Sequence, residues 1–321
     1  MEGLDSSVGR GLAPWPRGRG FEPQPSTVRA PTGWVCFQLV DALLLQAASP
    51  LFCDVTGAVD VLMANEAAVL QTFIEAFAEA AESPYGCLLI GGRIVAATER
   101  WWALTAGELT LLSSLLLSLP ECSARDIPVY LPYGSPTVPH RLLTFELLRS
   151  VTVCVICGPS PPLADLEKEV ARFWVPAVET LKSARKTVPR NIPVSLEMDS
   201  NILGFILVNT STHQCLNSVS LAGESGRGQG EEPARQEKRR AVLRSFYTMV
   251  IGSYFSTGAV KSGQDSDPGE LRHKPTDTYI VCSGHKCYAH RSGKYQIFVL
   301  FAAKTPTFAM RLICRARGRI Q

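Results

Sequence analysis

From Asn65 onward, apolar residues recur at helical spacing. Val69, Phe73, Phe77 and Ala81 share one stripe, and Gln71, Glu75, Glu79 and Glu82 share the opposite one. Asn65 is placed to cap that helix, and Ser83-Pro84 to end it. The period then shortens. Residues 87–90 and 93–98 are brief apolar runs separated by Gly91-Gly92, a pair that supplies the positive φ angles of a tight hairpin turn. The Leu-rich stretch 107–119 reads as a helix. Residues 127–131, 141–148 and 151–157 are short, apolar or β-branched and bounded by Pro and Gly, which predicts three strands. Leu163, Leu166, Val170, Phe173, Trp174, Ala177 and Leu181 return to helical spacing, with Pro176 expected to kink the helix. Residues 64–188 therefore read α-β-β-α-β-β-β-α.

A second unit, residues 196–321, follows the same order. Residues 202–208 and 214–220 are strands, and 223–232 form a Gly- and Glu-rich loop. Pro233 suits the first turn of a helix whose stripe is Val242, Phe246, Val250 and Tyr254, widened by Leu243, Tyr247 and Ile251. Residues 257–275 make a long loop, expected to be mobile. Strands follow at 278–282, 286–290 and 295–303, and a helix begins after Pro306. The order β-β-α-β-β-β-α thus appears twice, which implies an α+β architecture of two antiparallel sheets with flanking helices. Residues 1–33 show neither period and are expected to be disordered. Residues 34–63 are apolar and irregular (Trp34, Phe37, Leu39, Leu51, Phe52) and read as one or two short helices lying on something else.

Composition narrows the function classes. The chain has 321 residues, 46% hydrophobic and 19% charged, so it can bury two cores and is not disordered as a whole. A net charge of +3 lacks the basic bias of a nucleic-acid binder. The longest apolar stretch, 109–119, falls short of the roughly 20 residues of a spanning helix. Most of the ten cysteines sit in apolar runs with no secretory signal before them, which points to reduced thiols and a cytoplasmic location.

Catalytic motifs are missing. Residues 258–263 contain Lys261-Ser262 but not the glycine spacing of a phosphate loop. Cys154 and Cys157 lie three apart on a strand, so their thiols point to opposite faces. Cys282, His285, Cys287 and His290 have zinc-like spacing, but alternation along a hairpin separates them too. Ser135 and His140 lie in a stretch with three prolines and no nucleophile elbow. Neither catalytic residues, metal nor cofactor are expected. Two features point to partners. Trp101-Trp102, on a strand end, would face opposite ways, one toward the core and one exposed for contact; the alternative packs both under helices. Arg235, Lys238, Arg239, Arg240 and Arg244 give one helix a basic start, a solvated face or a contact for an acidic partner or anionic lipid. Partner-binding candidates are accordingly Trp101, Trp102, Arg239 and Arg240. Arg311, Arg315, Arg317 and Arg319 form a basic tail.

Three runs carry a family resemblance: Gly92-Arg93-Ile94-Val95-Ala96-Ala97-Thr98-Glu99-Arg100-Trp101-Trp102; Asp126-Ile127-Pro128-Val129-Tyr130-Leu131-Pro132-Tyr133-Gly134-Ser135-Pro136-Thr137-Val138-Pro139-His140-Arg141-Leu142-Leu143; and Cys157-Gly158-Pro159-Ser160-Pro161-Pro162-Leu163. They resemble the planar cell polarity effectors of the tri-longin family. The resemblance implies two longin/roadblock-like domains, the second and third of the family, each a five-stranded antiparallel sheet with flanking helices. It makes residues 34–63 the remnant of a first longin domain and the C-terminus atypical, as in a shortened isoform or gene model. It implies as partners Inturned, a WD-repeat polarity effector and a Rab-type small GTPase, and a role in cilium assembly and ciliary transport at the cytoskeleton and basal body. Three functional expectations follow: a non-catalytic adaptor; a subunit of a heterodimeric Rab exchange factor, which needs no acid, base or metal of its own; or an inactive truncated chain with Leu43–Leu45 exposed.

Overall fold

The computed structural model describes residues 51–119, 122–220, 232–255 and 275–317. The expectations for residues 1–50, the loop segments 221–231 and 256–274 (with Lys261-Ser262), and Arg319 lie outside these. The described chain begins with a one-turn helix α1 (Cys53–Thr56), ended by Gly57 at φ 60°, and a three-residue strand β1 (Val59–Val61). The first unit is α2 (Ala67–Ala80), β2 (Tyr85–Ile90), β3 (Arg93–Ala97), α3 (Glu99–Trp102), α4 (Ala106–Ser118), β4 (Ala124–Leu131), β5 (Ser135–Leu148), β6 (Val151–Cys157), α5 (Leu163–Trp174) and α6 (Val178–Arg185). A 3-10 turn at Val175–Ala177 separates α5 from α6, where Pro176 interrupts the helical ladder. The second unit is β7 (Ile202–Asn209), β8 (Gln214–Ser218), α7 (Glu232–Ser253), β9 (Asp277–Val281), β10 (His285–Ser292), β11 (Tyr295–Ala302) and α8 (Thr307–Arg317).

Both units arrange their strands in the same spatial order, second-first-fifth-fourth-third. They are also joined, because β1 lies between β3 and β8 and completes one sheet of order β4-β5-β6-β2-β3-β1-β8-β7-β11-β10-β9. Within 34–63, then, the described residues 51–63 hold one helical turn and one short strand rather than helices alone. Val59-Asp60-Val61 is too short to show a period of 2. Its pairing is parallel on both sides, so no hairpin turn announces it.

Three local differences from the sequence expectation have physical causes. Helix α2 starts one residue later than an Asn65 cap implies, with Glu66 at its N-cap and no side-chain cap bond. It is also rotated: Leu70, Ile74, Phe77 and Ala78 are buried, whereas Val69 is exposed. The rotation follows from Gly86 in β2, where a Cβ would lie 3.0 Å from the Ala78 Cβ and 3.3 Å from Ile74, so this face of α2 settles onto the gap left by the missing side chain. The Pro-rich arm 135–140, which lies outside the strands expected at 127–131 and 141–148, is the start of β5, pairing Leu131 with Ser135 and Val129 with His140. Prolines are tolerated there because the hairpin lies at the sheet edge. Trp101-Trp102 sits in a one-turn helix whose N-cap, Thr98, accepts a bond from the Trp101 N–H, and not on a strand.

Four apolar clusters line the two sheet faces. In the first unit one cluster lies under α2, α5 and α6, where Phe77 meets Phe145, Phe173 and Trp174 edge-on. Another lies under α3 and α4 around Trp101 and Ile94. In the second unit one cluster packs Phe246, Tyr247 and Val250 of α7 on Phe298. The other packs Met310 and Cys314 of α8 on Phe205, Val299 and Phe301.

Candidate functional site

A buried polar arrangement runs along the seam at β1. Register places Val61 beside Ile94 on one side, and Val59, Asp60 and Val61 beside Gln214, Cys215 and Leu216 on the other. Val59 joins the core beneath α4. Asp60, the next residue, faces the other way, on the side of α1 and α7. It is 3% exposed. Its Oδ2 accepts the N–H groups of Phe52 (3.0 Å) and Cys53 (2.9 Å), and its Oδ1 accepts Asn217 Nδ2. Asn191 Nδ2 donates to the Asn217 carbonyl at 2.8 Å, tying the linker between the units to β8. Burial pushes the Asp60 carboxyl up to about 6 against the pull of the neighbouring Arg93 guanidinium. The buried Arg93 is itself lowered by burial and held up by Asp60. Burial likewise drives Cys53 up to about 12 and Cys215 well above the usual thiol range, so neither is a nucleophile.

The arginines of α7 close over this seam. Arg239 is 8% exposed and donates to the Val219 carbonyl at 3.2 Å. Arg240 is half-buried, pairs with Glu237 and adds its charge to the field at Arg93. Arg244 bonds the Leu51 carbonyl, pairs with Asp54 at 2.5 Å and lies 5.4 Å over the Phe52 ring, fastening α1 to α7. Arg239, Arg240 and Arg244 thus serve the junction, while Lys238 is exposed. Trp101 is wholly buried, and Trp102 is half-buried against the same core. The candidate residues therefore fall in two places, the tryptophans under α4 and the arginines at the seam. Sequence reasoning missed Asp60, Asn191 and Asn217. The one available signal was a carboxylate set between two valines.

The remaining candidates are dispersed. Cys154 and Cys157 enter cores on opposite faces of the sheet. Cys282 is exposed, while Cys287 faces the core under α7. Ser135 Oγ contacts the Val138 carbonyl at 3.4 Å, within its own turn. Among the described residues no group of three or more His, Cys, Asp or Glu side chains is placed to hold a metal ion. Nor, among these residues, is any helix long and apolar enough to cross a membrane.

Two clamps shape the outer surface of the first unit. Thr105 and Glu108 form a reciprocal capping box on α4. The other Glu108 oxygen accepts Tyr133 N and Gly134 N, both at 2.8 Å, so it also holds the β4–β5 turn. Burial alone would raise this carboxyl, but the Gly134, Tyr133 and Thr105 bonds outweigh it and hold it below the usual range. Arg141 grips Asp126 through Nε and Nη2 and donates to the Pro159 and Pro161 carbonyls, locking β5 to the turn before α5. Between α4 and β4 lies an open cleft of about 160 Å³ lined by Leu111, Leu115, Val129, Tyr130 and Pro132. Leu111, Tyr130 and Tyr133 are exposed at this edge. Strand β4 ends one side of the sheet and β9 the other, and each edge can take a partner.

Comparison with known proteins assigns the units. A family model described as "Second Longin domain of FUZ, MON1 and HPS1" matches residues 81–175, and one described as "Third Longin domain of FUZ, MON1 and HPS1" matches residues 201–316. The chain is 39% identical to Protein fuzzy homolog of Xenopus tropicalis over 285 residues, 87% of this chain and 68% of that protein. It is 37% identical to Protein fuzzy homolog of Homo sapiens, over 85% of this chain and 65% of that protein. The matching region of the rat protein gives the same values, 37%, 85% and 65%. The chain therefore spans about two thirds of the length of these relatives.

Proposed function

Since the chain belongs to the protein fuzzy homolog family and carries that family's second and third longin domains, we propose that it is a non-catalytic docking subunit in cilium assembly and planar cell polarity. It acts through contacts with a partner longin protein, Inturned, and a WD-repeat polarity effector, in the cytoplasm and at the basal body. The observation that carries this reading is the fusion of two longin sheets into one continuous eleven-stranded sheet. It presents the β4 and β9 edges and the apolar α4–β4 cleft in fixed relation. Buried thiols held at high pKa and a seam carboxylate saturated with hydrogen bonds support a role in binding rather than in chemistry. Co-expression of this chain with Inturned, followed by size-exclusion chromatography, tests the proposal. Co-elution as a stable complex is expected. Separate elution of a folded chain would reject it.

The tri-longin resemblance favours a second reading, a subunit of an exchange factor for a Rab-type GTPase. Such a subunit works by binding the nucleotide-free state of the GTPase more tightly than the nucleotide-bound state. Release of a fluorescent nucleotide from candidate Rab proteins, with and without the Inturned complex, distinguishes this reading from docking alone.

A further inference from the structure

The twofold repeat provides an internal control for its own surfaces. Helices α5 and α8 occupy equivalent places after the fifth strand of each unit. Each follows a proline, Pro162 or Pro306, and each buries the residue four positions later, Leu166 or Met310. Aligned this way, the outward positions of α5 are Ala164 and Lys168, both exposed, with Lys168 paired to Asp165. The same two positions in α8 are Phe308 and Leu312, 77% and 65% exposed. One repeat gives these positions to solvent with small and charged side chains, and the other keeps an aromatic ring and a leucine there. The inner face of α8 is already spent on the sheet through Met310, Ile313 and Cys314. Tyr279 and Val281 of the edge strand β9 lie on the same sheet face as α8 and are also exposed.

Charge completes the picture. The sequence of α8, residues 307–317, contains no carboxylate and three arginines. Arg311 reaches Asp277 of β9 at 2.7 Å while its side chain remains half exposed. Lys304 stands exposed just before the helix. The outward stripe is narrow, two apolar residues one turn apart. That is the i, i+4 spacing of anchors that meet a partner helix, whereas a helix lying in a lipid interface needs a broad apolar face.

We infer that the outer face of α8, anchored by Phe308 and Leu312 and bordered by Arg311, is a docking site for an amphipathic helix of a partner protein whose apolar stripe is flanked by carboxylates. The inference rests on the docking-subunit reading and gives it a location and a partner chemistry. Exposed Lys304, with the solvent-facing part of Arg311 beyond its pair with Asp277, meets the partner's carboxylates and supplies selectivity, and burial of Phe308 and Leu312 supplies affinity.

The test uses the full chain and a fluorescein-labelled designed helix with leucines at one face and glutamates on both flanks. Fluorescence anisotropy is read beside a copy of the peptide with lysines in place of the glutamates. Vesicles containing phosphatidylserine are assayed in parallel by flotation. The glutamate peptide is expected to bind, the lysine peptide to bind at least tenfold more weakly, and Phe308→Ser/Leu312→Ser to weaken the glutamate peptide at least tenfold. The thermal melt should be unchanged, since both side chains are largely exposed. Equal binding by the double variant, equal binding of the two peptides, or vesicle binding without peptide binding would overturn the inference. None of these readouts requires Inturned, so a failed co-elution and a failed titration reject different statements.

Discussion

Asp60 is the residue on which the junction of the two units depends, and its burial leaves a measurable trace. A carboxyl at about 6 in the folded chain, against an ordinary value of 3.8, binds its proton more tightly when native than when unfolded. The stability linked to that proton is complete below about pH 3.8 and is lost as pH rises through about 6. The shift amounts to about 3 kcal/mol. Glu108 has the opposite sign, because its lowered pKa contributes stability that fades as pH falls. Comparing wild type with Asp60→Asn cancels that second effect, as Glu108 is present in both. In urea unfolding from pH 4 to 8, wild type is expected to lose about 2 kcal/mol relative to Asp60→Asn, since at pH 4 the unfolded carboxyl is already partly ionised. Parallel curves would mean that Asp60 keeps its charge throughout this range.

At the scale of elements, β7 shows how closely the layers approach. A Cβ on Gly204 would lie 2.9 Å from the Ser218 carbonyl oxygen and 3.2 Å from Leu243 of α7, so backbone and helix both close on this position. Gly204→Ala is expected to cost about 1–3 kcal/mol through overpacking and to lower the melting temperature. Gly284→Ala, which has open space around it, is expected to leave the melting temperature unchanged. A pressed glycine of this kind is invisible in one sequence, and so was the rotation of α2 around Gly86. Legibility followed the strength of the local period. Strand β6 was readable to both its ends, because residues 151–157 are apolar or β-branched throughout and turns bound them. The break at Pro176 was readable because a proline removes a hydrogen bond wherever it sits in a helix. The basic start of α7 misled, since a run of arginines looks the same whether solvated or folded over a seam. Trp101 and Trp102 were not readable as a helix, because one turn is shorter than any period, but they pack as the alternative reading had them, against the core under α4. Strand β1 could not be read, since three residues paired in parallel with two distant strands leave no pattern of their own.

At the scale of the whole molecule, that unreadable strand decides whether the chain is one body or two. The side-chain directions at β1 place α4 and α8 on one face of the sheet and α2, α5, α6 and α7 on the other, so the second unit is flipped relative to the first about the seam. The β4 and β9 edges are then separated by ten strand spacings, roughly 48 Å at 4.8 Å each before twist. A partner that engages both edges would meet that spacing ready-made only while the seam holds. The strand at the seam is short, with one residue pair to β3 and three to β8. At its two ends Val59 N donates to the His213 carbonyl at 2.9 Å and Leu62 N to the Ile94 carbonyl at 2.9 Å, beside the parallel pairing of Val59, Asp60 and Val61 with β8 and of Val61 with β3. Val59→Pro deletes the first of these and leaves the second, while each unit keeps its own five strands and core. Wild type is expected to melt in one calorimetric transition, and Val59→Pro in two, with the ratio of van't Hoff to calorimetric enthalpy falling below one. A single transition in the variant would show that Asp60, Asn217, the α1–α7 clamp and the rest of the β1 pairing suffice without the Val59–His213 bond. The loss of cooperativity would then have to be sought in Asp60→Asn instead, which tells the polar half of the seam from its backbone half.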